Sequence, residues 1–288
     1  MGTSASSKGP GSGVPFDPPW LEEIMPQLPG EEMQPTDPGS GDNNEQDDGQ
    51  SDKNPQTPAE VPDSAPPGRF GNARRSLGNF ARTGDQGAFR NAMGHYSRTG
   101  MGGASKVAKR MRVSTRSAAN LFDVLQAARE GTDPTISEWV TSLTDRNANV
   151  QEIIDEIIRK VAPNGGNLDE ISCQESMAQA IQDLLEENPN VDLLSLDDSN
   201  IWRLIESFLG YEASSRIYLD IGKVYENPAI SSLERVLRMN EMQDYLKAEL
   251  SVQIEGLRQQ TPNAVSIELQ EILEAAVKNT FLVYEGSL

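Results

Sequence analysis

Thirteen of the 18 prolines in this chain lie within its first 68 residues. Proline has no backbone N–H and ends helices, so this distribution separates a part that resists regular structure from a part that can form it. The first part also contains the polar acidic stretch DPGSGDNNEQDDGQSDKNPQTPAE, which cannot bury enough apolar area to offset the entropy of ordering. We therefore predict an N-terminal tail over residues 1–25 and a disordered acidic linker over residues 26–68.

The net charge of −19 conceals three blocks of alternating sign. Residues 1–68 carry 2 basic and 13 acidic side chains, residues 69–118 carry 11 and 1, and residues 119–288 carry 12 and 30. A basic block between two acidic ones is typical of an interaction segment. The sequence shows neither a secretory signal nor an apolar run near the ~20 residues of a membrane helix. We expect a soluble, cytoplasmic protein that does not bind membranes.

Helical periodicity dominates residues 119–288. In NVQEIIDEIIRKVA, apolar residues recur three and four positions apart, Asn149 can cap the helix and Pro163 can end it. Asp133 can likewise cap a helix that begins at Pro134. No stretch alternates in the way that a half-buried strand requires. We predict an all-α domain of six to eight helices over residues 119–288, with the basic segment over residues 69–118 as a separate unit.

The side chains that catalysis requires are scarce. The single histidine, His95, lies in the glycine-rich basic segment, where we expect no well-packed element to orient it. The single cysteine, Cys173, lies on an amphipathic stretch and is predicted to be a structural thiol. Adjacent acidic pairs such as Asp197-Asp198 are expected by chance among 30 acidic residues. We predict that the chain is not an enzyme, binds no metal and needs no cofactor.

The basic segment contains an internal repeat. LGNFARTG at 77–84 is followed by MGHYSRTG at 93–100, and each copy has an aromatic residue, an arginine and a glycine that can adopt a positive φ. The candidate binding residues of this segment are Arg69, Arg74, Arg75, Phe80, Arg82, Arg90, Tyr96 and Arg98, with Phe70 and Phe89 interleaved.

Three interpretations of this segment stay open. It can bind nucleic acid, with arginines on phosphates and aromatic rings on unpaired bases. It can dock on an acidic or structured protein partner, or it can fold back onto the acidic helical domain. Nucleic acid is not favoured, because the net charge of −18 over residues 119–288 repels phosphate.

The N-terminal tail has two features. In PPWLEEIMPQLP, Trp20, Leu21 and Ile24 can share one face of a short helical turn, which predicts a docking motif rather than a domain. A solvated proline-rich tail is the alternative that stays open. Removal of Met1 exposes the amine of Gly2, which has no side chain beside it and can enter a narrow pocket as a nucleophile. MGTSAS also matches the short myristoylation pattern, with Ser6 at its last position.

These motifs resemble the QatB family of the Qat anti-phage defence system, and the resemblance covers nearly the whole chain. Its most specific parts are Gly2-Thr3-Ser4, Gly9-Pro10, Pro18-Pro19-Trp20 and the segment RFGNARRSLGNFARTG. Members of this family are expected to act beside an ATPase, QatA, a QueC-like enzyme, QatC, and a TatD-like nuclease, QatD.

The resemblance implies a substrate role. Related QueC-like enzymes are implicated in joining a 7-deazaguanine to the N-terminal glycine of a partner protein, so the implied acceptor is the α-amine of Gly2. Thr3, Ser4 and the next few residues would then enter the channel of QatC, while the Trp20 motif anchors the tail. The implied partner-binding residues are Gly2, Thr3, Ser4, Ser6, Gly9, Pro10, Pro18, Pro19, Trp20, Leu21 and Ile24. The alternative function is a nucleic-acid-binding adaptor that recruits DNA to the nuclease through the basic segment.

Overall fold

The structure, a computed structural model, describes residues 66–162, 168–260 and 266–288. The tail and nearly all of the predicted linker lie outside these ranges, so their disorder stays a prediction. The described ranges contain ten α-helices and no β-strand, which confirms the all-α prediction. Seven of these helices contain residues from 119 onwards, within the six to eight expected.

The helices follow one another with short connections. A π-helical turn at Tyr96–Met101 separates α2 from α3, and a 3₁₀ turn at Gly222–Glu226 separates α8 from α9. The helices are α1 (Gly71–Thr83), α2 (Gln86–His95), α3 (Ala104–Arg110), α4 (Arg112–Glu130), α5 (Pro134–Asp145), α6 (Val150–Val161), α7 (Leu168–Glu187), α8 (Asp198–Ile221), α9 (Ser232–Arg258) and α10 (Ser266–Glu285).

The predicted helix starts are confirmed by their caps. The Asn149 side chain accepts from the backbone N–H of Glu152, whose carboxylate accepts from the Asn149 N–H in return, so α6 begins with a complete capping box. The Asp133 carboxylate accepts from the N–H groups of Thr135 and Ile136. Pro134 takes the first helical position, where its missing N–H costs nothing. Pro163, the predicted stop of α6, lies outside the described residues.

Helix α8 forms the centre of the molecule. It is buried around most of its circumference, from Ile201 to Ile221, and packs against α4, α7 and α9. Helix α10 packs against α2, α3, α4 and α9. In the part of the chain that is described, no helix combines the length and apolar character needed to cross a membrane.

The basic segment is helical and shares this core. It forms α1, α2, α3 and the first part of α4, and the predicted boundary after residue 118 falls inside α4. Ala118 and Ala119, on either side of that boundary, are both buried. The expectation of a segment without well-packed elements is therefore wrong. The reason is an apolar stripe on α1 at Ala73, Leu77 and Phe80, whose helical spacing gives the segment a face to bury.

Candidate functional site

The two predicted sets of site residues differ in what the structure says of them. The tail set, from Gly2 to Ile24, lies outside the described residues, so its roles stay predictions. The basic-segment set is described in full and divides into side chains that are buried and side chains that are half-buried or exposed.

The aromatic rings of the basic segment belong to the core. Phe70, Phe80, Phe89 and Tyr96 are at most 2% exposed. The Phe89 ring centroid lies 5.4 Å from that of Phe80 and 5.1 Å from that of Tyr245 on α9. Unpaired bases cannot reach rings packed in this way, so Phe80 and Tyr96 cannot take the stacking role that the nucleic-acid interpretation gives to aromatic rings.

The two copies of the repeat place their apolar residues alike and their glycines differently. Gly84 adopts a φ of +70° and ends α1, as expected of a glycine after a helix. Gly100 does not adopt a positive φ. Instead its missing side chain admits the Phe70 ring, which lies 2.5 Å from where a Cβ would be. The predicted positive φ is therefore confirmed for Gly84 and wrong for Gly100.

Three of the six predicted arginines, Arg69, Arg90 and Arg98, differ in their exposure to solvent. Arg69 is buried, and its guanidinium lies 5.0 Å from the centroid of the Phe70 ring. Burial lowers the pKa of Arg69, with the nearby Asp220 carboxylate acting in the opposite direction. Arg90 on α2 and Arg98 in the π-helical turn are exposed.

The other three predicted arginines meet in one open cleft of about 560 Å³. Helix α1 forms one wall, and the 3₁₀ turn after α8 forms the other. Four lining side chains are cationic and one is anionic. The lining residues are Arg74, Arg75, Gly78, Arg82, Lys223, Val224, Glu226 and Asn227, and we call this feature the basic cleft. Guanidinium groups donate paired hydrogen bonds to carboxylates and phosphates, so the cleft is suited to an anionic ligand.

The wall formed by α1 is fixed to the helical domain through Asp220, near the end of α8. The Arg74 Nη2 donates to the backbone carbonyl of Asp220 over 3.1 Å. The Asp220 carboxylate accepts from the Tyr96 hydroxyl over 2.9 Å and lies 3.6 Å from the Arg110 Nη2. For these residues, the interpretation that the basic segment folds back onto the acidic helical domain is confirmed, because they contact Asp220 of that domain.

Tyr96 remains a neutral hydrogen-bond donor in this arrangement. Burial raises its pKa well above the usual value, and the adjacent Asp220 carboxylate raises it further. The phenol therefore keeps its proton at physiological pH and can satisfy one oxygen of a carboxylate that is itself only 4% exposed.

A second polar network lies deeper, between α7 and α8. The Arg216 Nε lies 2.9 Å from a carboxylate oxygen of Glu212, and its Nη1 lies 3.0 Å from one of Asp169. The Ser172 hydroxyl donates to Glu212 over 3.3 Å. Glu212 is fully buried, and burial raises its pKa although Arg216 acts in the opposite direction. The two acidic groups neutralise a buried guanidinium, which is a structural arrangement rather than a reactive one.

Reactive groups are scarce in the described part of the chain. Within it, no group of three or more His, Cys, Asp or Glu residues could hold a metal ion. The Cys173 side chain is fully buried, and burial raises its pKa to about 12, so its predicted structural role is confirmed. His95 ends α2 and is half-buried.

The comparison with protein families decides the assignment. The family model described as Qat anti-phage system associated protein QatB matches residues 102–284, well over half of the chain. The chain belongs to the QatB family. It is therefore a component of the Qat anti-phage defence system. No curated protein and no solved structure matches the chain.

The QatB family match covers one wall of the basic cleft and not the other. It begins at Gly102, before α3, and ends at Tyr284 in α10, so it includes Lys223 and Asn227 but none of α1. The family inferred from motifs in the tail and the basic segment is thus confirmed by a match that lies almost entirely in the helical domain.

Several residues around the site are absent from the sequence-based set. Lys223 contributes a cation to the cleft, and Asp220 holds α1 in place. Nothing in the local sequence LDIGKVYENP singles out either of them. The spacing of Glu212 and Arg216, four apart within an apolar helix, was a usable signal for a buried ion pair.

Proposed function

We propose that this QatB-family chain is a non-enzymatic protein substrate in the Qat system. It binds the QueC-like enzyme QatC in the cytoplasm and receives a 7-deazaguanine-type group on the α-amine of Gly2. The ATPase QatA and the TatD-like nuclease QatD are further partners. Family membership, together with the residues Gly2-Thr3-Ser4, is the observation that carries this proposal.

The residues themselves support a substrate role. Gly, Thr and Ser at positions 2–4 are slender, and a glycine amine can approach a reacting atom without a neighbouring side chain. Trp20 lies 18 residues from Gly2, a separation of up to roughly 60 Å when extended. A docking motif at Trp20 can therefore hold the chain on QatC while Gly2 enters the active site. The described domain adds an open cleft lined by four cationic side chains, which suits contact with an acidic partner.

The intact mass of the N-terminal peptide tests the modification. The chain is expressed with active QatC, and we expect the peptide that begins at Gly2 to gain the mass of the deazaguanine group. Gly2→Pro removes the primary amine and is expected to abolish the gain. Gly2→Ala keeps the primary amine but adds a methyl group beside it, so this matched control tests whether the QatC pocket is too narrow for a side chain. An unmodified Gly2 in the presence of active QatC would overturn the proposal, and full phage protection by Gly2→Pro would contradict its role in defence.

The docking part of the proposal needs its own measurement. Trp20→Ala is expected to weaken binding of the unmodified chain to QatC at least tenfold, since buried aromatic anchors carry much of the energy of such interfaces. Val14→Ala, outside the motif, is the control. Equal affinities for the two variants would remove Trp20 as an anchor on QatC.

A second candidate, a nucleic-acid-binding adaptor, is favoured by the basic cleft alone. Four cationic side chains line the cleft, and Arg75 and Arg82 among them are exposed, whereas the rings that would stack on bases are buried. Binding of a DNA oligonucleotide should then weaken steeply with salt and be lost in an Arg75→Glu, Arg82→Glu variant. Arg90→Glu with Arg98→Glu makes the same change in charge outside the cleft. Salt-insensitive binding, or equal losses in the two variants, would remove this candidate.

A further inference from the structure

Helix α9 begins with large apolar side chains that face solvent. Leu233, Val236 and Leu237 are 80%, 55% and 49% exposed, and their spacing of three and four places them on one face. We call these three residues the α9 face. The helix start is fixed by a capping box between Ser231 and Glu234, so these residues belong to a formed helix rather than to a frayed end. An exposed apolar group of this kind marks a binding surface.

Helix α9 begins close to the basic cleft. Helix α9 starts within five residues of Asn227, which lines the cleft, and the Ile230 N–H donates to the Asn227 carbonyl to keep this connection tight. At the far end of α1, Gly84 lies against the guanidinium of Arg238 on α9, 2.5 Å from where a Cβ would be. A ligand that reaches both surfaces needs apolar side chains followed or flanked by carboxylates.

We propose that residues 18–32 of this same chain, PPWLEEIMPQLPGEE, dock on the α9 face and the basic cleft. Trp20, Leu21 and Ile24 supply an apolar face of matching helical spacing. Four glutamates at positions 22, 23, 31 and 32 supply negative charge for the four cations of the cleft. The acidic stretch DNNEQDDGQSD of the linker has no large apolar residue, so it complements the cleft and not the α9 face.

The connection between segment and surface has a suitable length. The described chain begins at Pro66, and α1, one wall of the cleft, begins at Gly71. Between Ile24 and Pro66 lie about 40 residues, and a polar chain of that length has an average end-to-end distance of roughly 35 Å. A tether of this length gives an effective concentration approaching the millimolar range, far above the concentration of a second copy in solution.

The docked state changes how the tail meets its partner. Trp20 cannot contact the α9 face and another protein at once, so docking holds the tail on its own domain until a partner displaces it. The inference goes beyond the proposed function and does not depend on modification of Gly2, because it concerns the unmodified chain by itself.

Hydrogen exchange on the full chain alone, without QatC, tests the docking. We expect amides of residues 232–240 to exchange at least fivefold more slowly in the native sequence than in the variant Trp20→Ala, Leu21→Ala, Ile24→Ala. In the reciprocal variant, Leu233→Ser with Leu237→Ser, residues 18–25 should lose their protection. Equal exchange in the native chain and the triple variant would overturn the proposal, whatever the mass of the N-terminal peptide shows.

Two control variants test whether the docking is specific to the α9 face and the basic cleft. Val252→Ser replaces a residue on α9 that is 66% exposed and lies outside the α9 face, and it should leave residues 18–25 unchanged. Arg75→Glu with Arg82→Glu should weaken the protection of residues 18–32, whereas Arg90→Glu with Arg98→Glu should not. Protection that grows with protein concentration would assign the α9 face to a second copy and overturn the intramolecular proposal.

Discussion

The Tyr96 hydroxyl donates a hydrogen bond of 2.9 Å to the Oδ2 of Asp220, 124 residues further along the chain. Tyr96 belongs to the basic segment and Asp220 to the last turn of the central helix α8. The same aspartate holds Arg74 through its backbone carbonyl and lies beside Arg110. One acidic residue thus attaches the basic segment to the domain and fixes the α1 wall of the basic cleft.

Tyr96→Phe is expected to lower the free energy of unfolding by about 1–3 kcal/mol. The change removes the hydroxyl and leaves one buried oxygen of Asp220 without its donor, which costs more than the hydrogen bond alone contributes. Chemical denaturation checks this value. Tyr218→Phe is the matched control, because Tyr218 is 37% exposed. Loss of its hydroxyl should change the free energy of unfolding by less than about 0.5 kcal/mol. Equal effects of the two substitutions would contradict the role assigned to the Tyr96–Asp220 bond.

Alkaline pH should destabilise the fold through its buried tyrosines. Burial raises the pKa of Tyr96, Tyr225 and Tyr284, so the folded chain keeps protons that the unfolded chain releases near pH 10. Their contribution is complete below pH 10 and declines as pH rises above it, by about 1.4 kcal/mol per pH unit for each tyrosine. In Tyr96→Phe, the free energy of unfolding should decline less steeply with pH, by about 1.4 kcal/mol per pH unit. An unchanged slope would show that Tyr96 ionises with the fold intact.

Local patterns in the sequence are sufficient to predict the helices but not the basic cleft. The capping box at Asn149 and Glu152 is a short-range arrangement, so the spacing of those residues contains it. The cleft joins Arg75 and Arg82 to Lys223, and the Tyr96–Asp220 bond spans α2 to α8, so both depend on how distant helices pack. No spacing along the chain encodes such a contact.

The prediction that the basic segment lacks well-packed elements is wrong for a local reason rather than a long-range one. Its glycines and arginines indicated an unpacked chain, but its apolar residues already had helical spacing at Leu77, Phe80 and Ala81. Burial of that stripe outweighed the weak helix propensity of glycine, which costs only about 1 kcal/mol at each position. Arg75 and Arg82 of α1 are then exposed, whereas Arg74 is half-buried and reaches the Asp220 carbonyl.

Gly94→Ala is expected to destabilise the fold by roughly 1–3 kcal/mol. A Cβ at this position would lie 2.5 Å from the backbone carbonyl oxygen of Tyr284 and 2.9 Å from the Leu288 Cγ, so α2 and α10 would have to separate. Gly256→Ala is the matched control on the exposed side of α9, where a Cβ meets nothing within 4 Å. That substitution should stabilise the chain by roughly 0.5–1 kcal/mol, because alanine loses less backbone entropy in a helix. Thermal unfolding should therefore show a lower melting temperature for Gly94→Ala and a higher one for Gly256→Ala. A Gly94→Ala variant as stable as the native chain would contradict the close approach of α2 and α10.

Cys173 is expected to resist thiol reagents in the folded chain. Its side chain is fully buried, and burial raises its pKa to about 12, so at pH 8 the ionised fraction is on the order of 10⁻⁴. An exposed thiol of ordinary pKa would be about one quarter ionised at that pH. A chromogenic disulfide reagent should therefore label the native chain only over hours, through opening of α7, and should label one thiol per chain within minutes in denaturant.

The rate of labelling in the native chain then reports the opening of α7. Arg216→Lys should accelerate labelling, because it weakens the buried contacts with Glu212 and Asp169. Arg203→Lys, on the exposed side of α8, should not. Rapid and complete labelling of the native chain would show that Cys173 is accessible and would contradict its structural role.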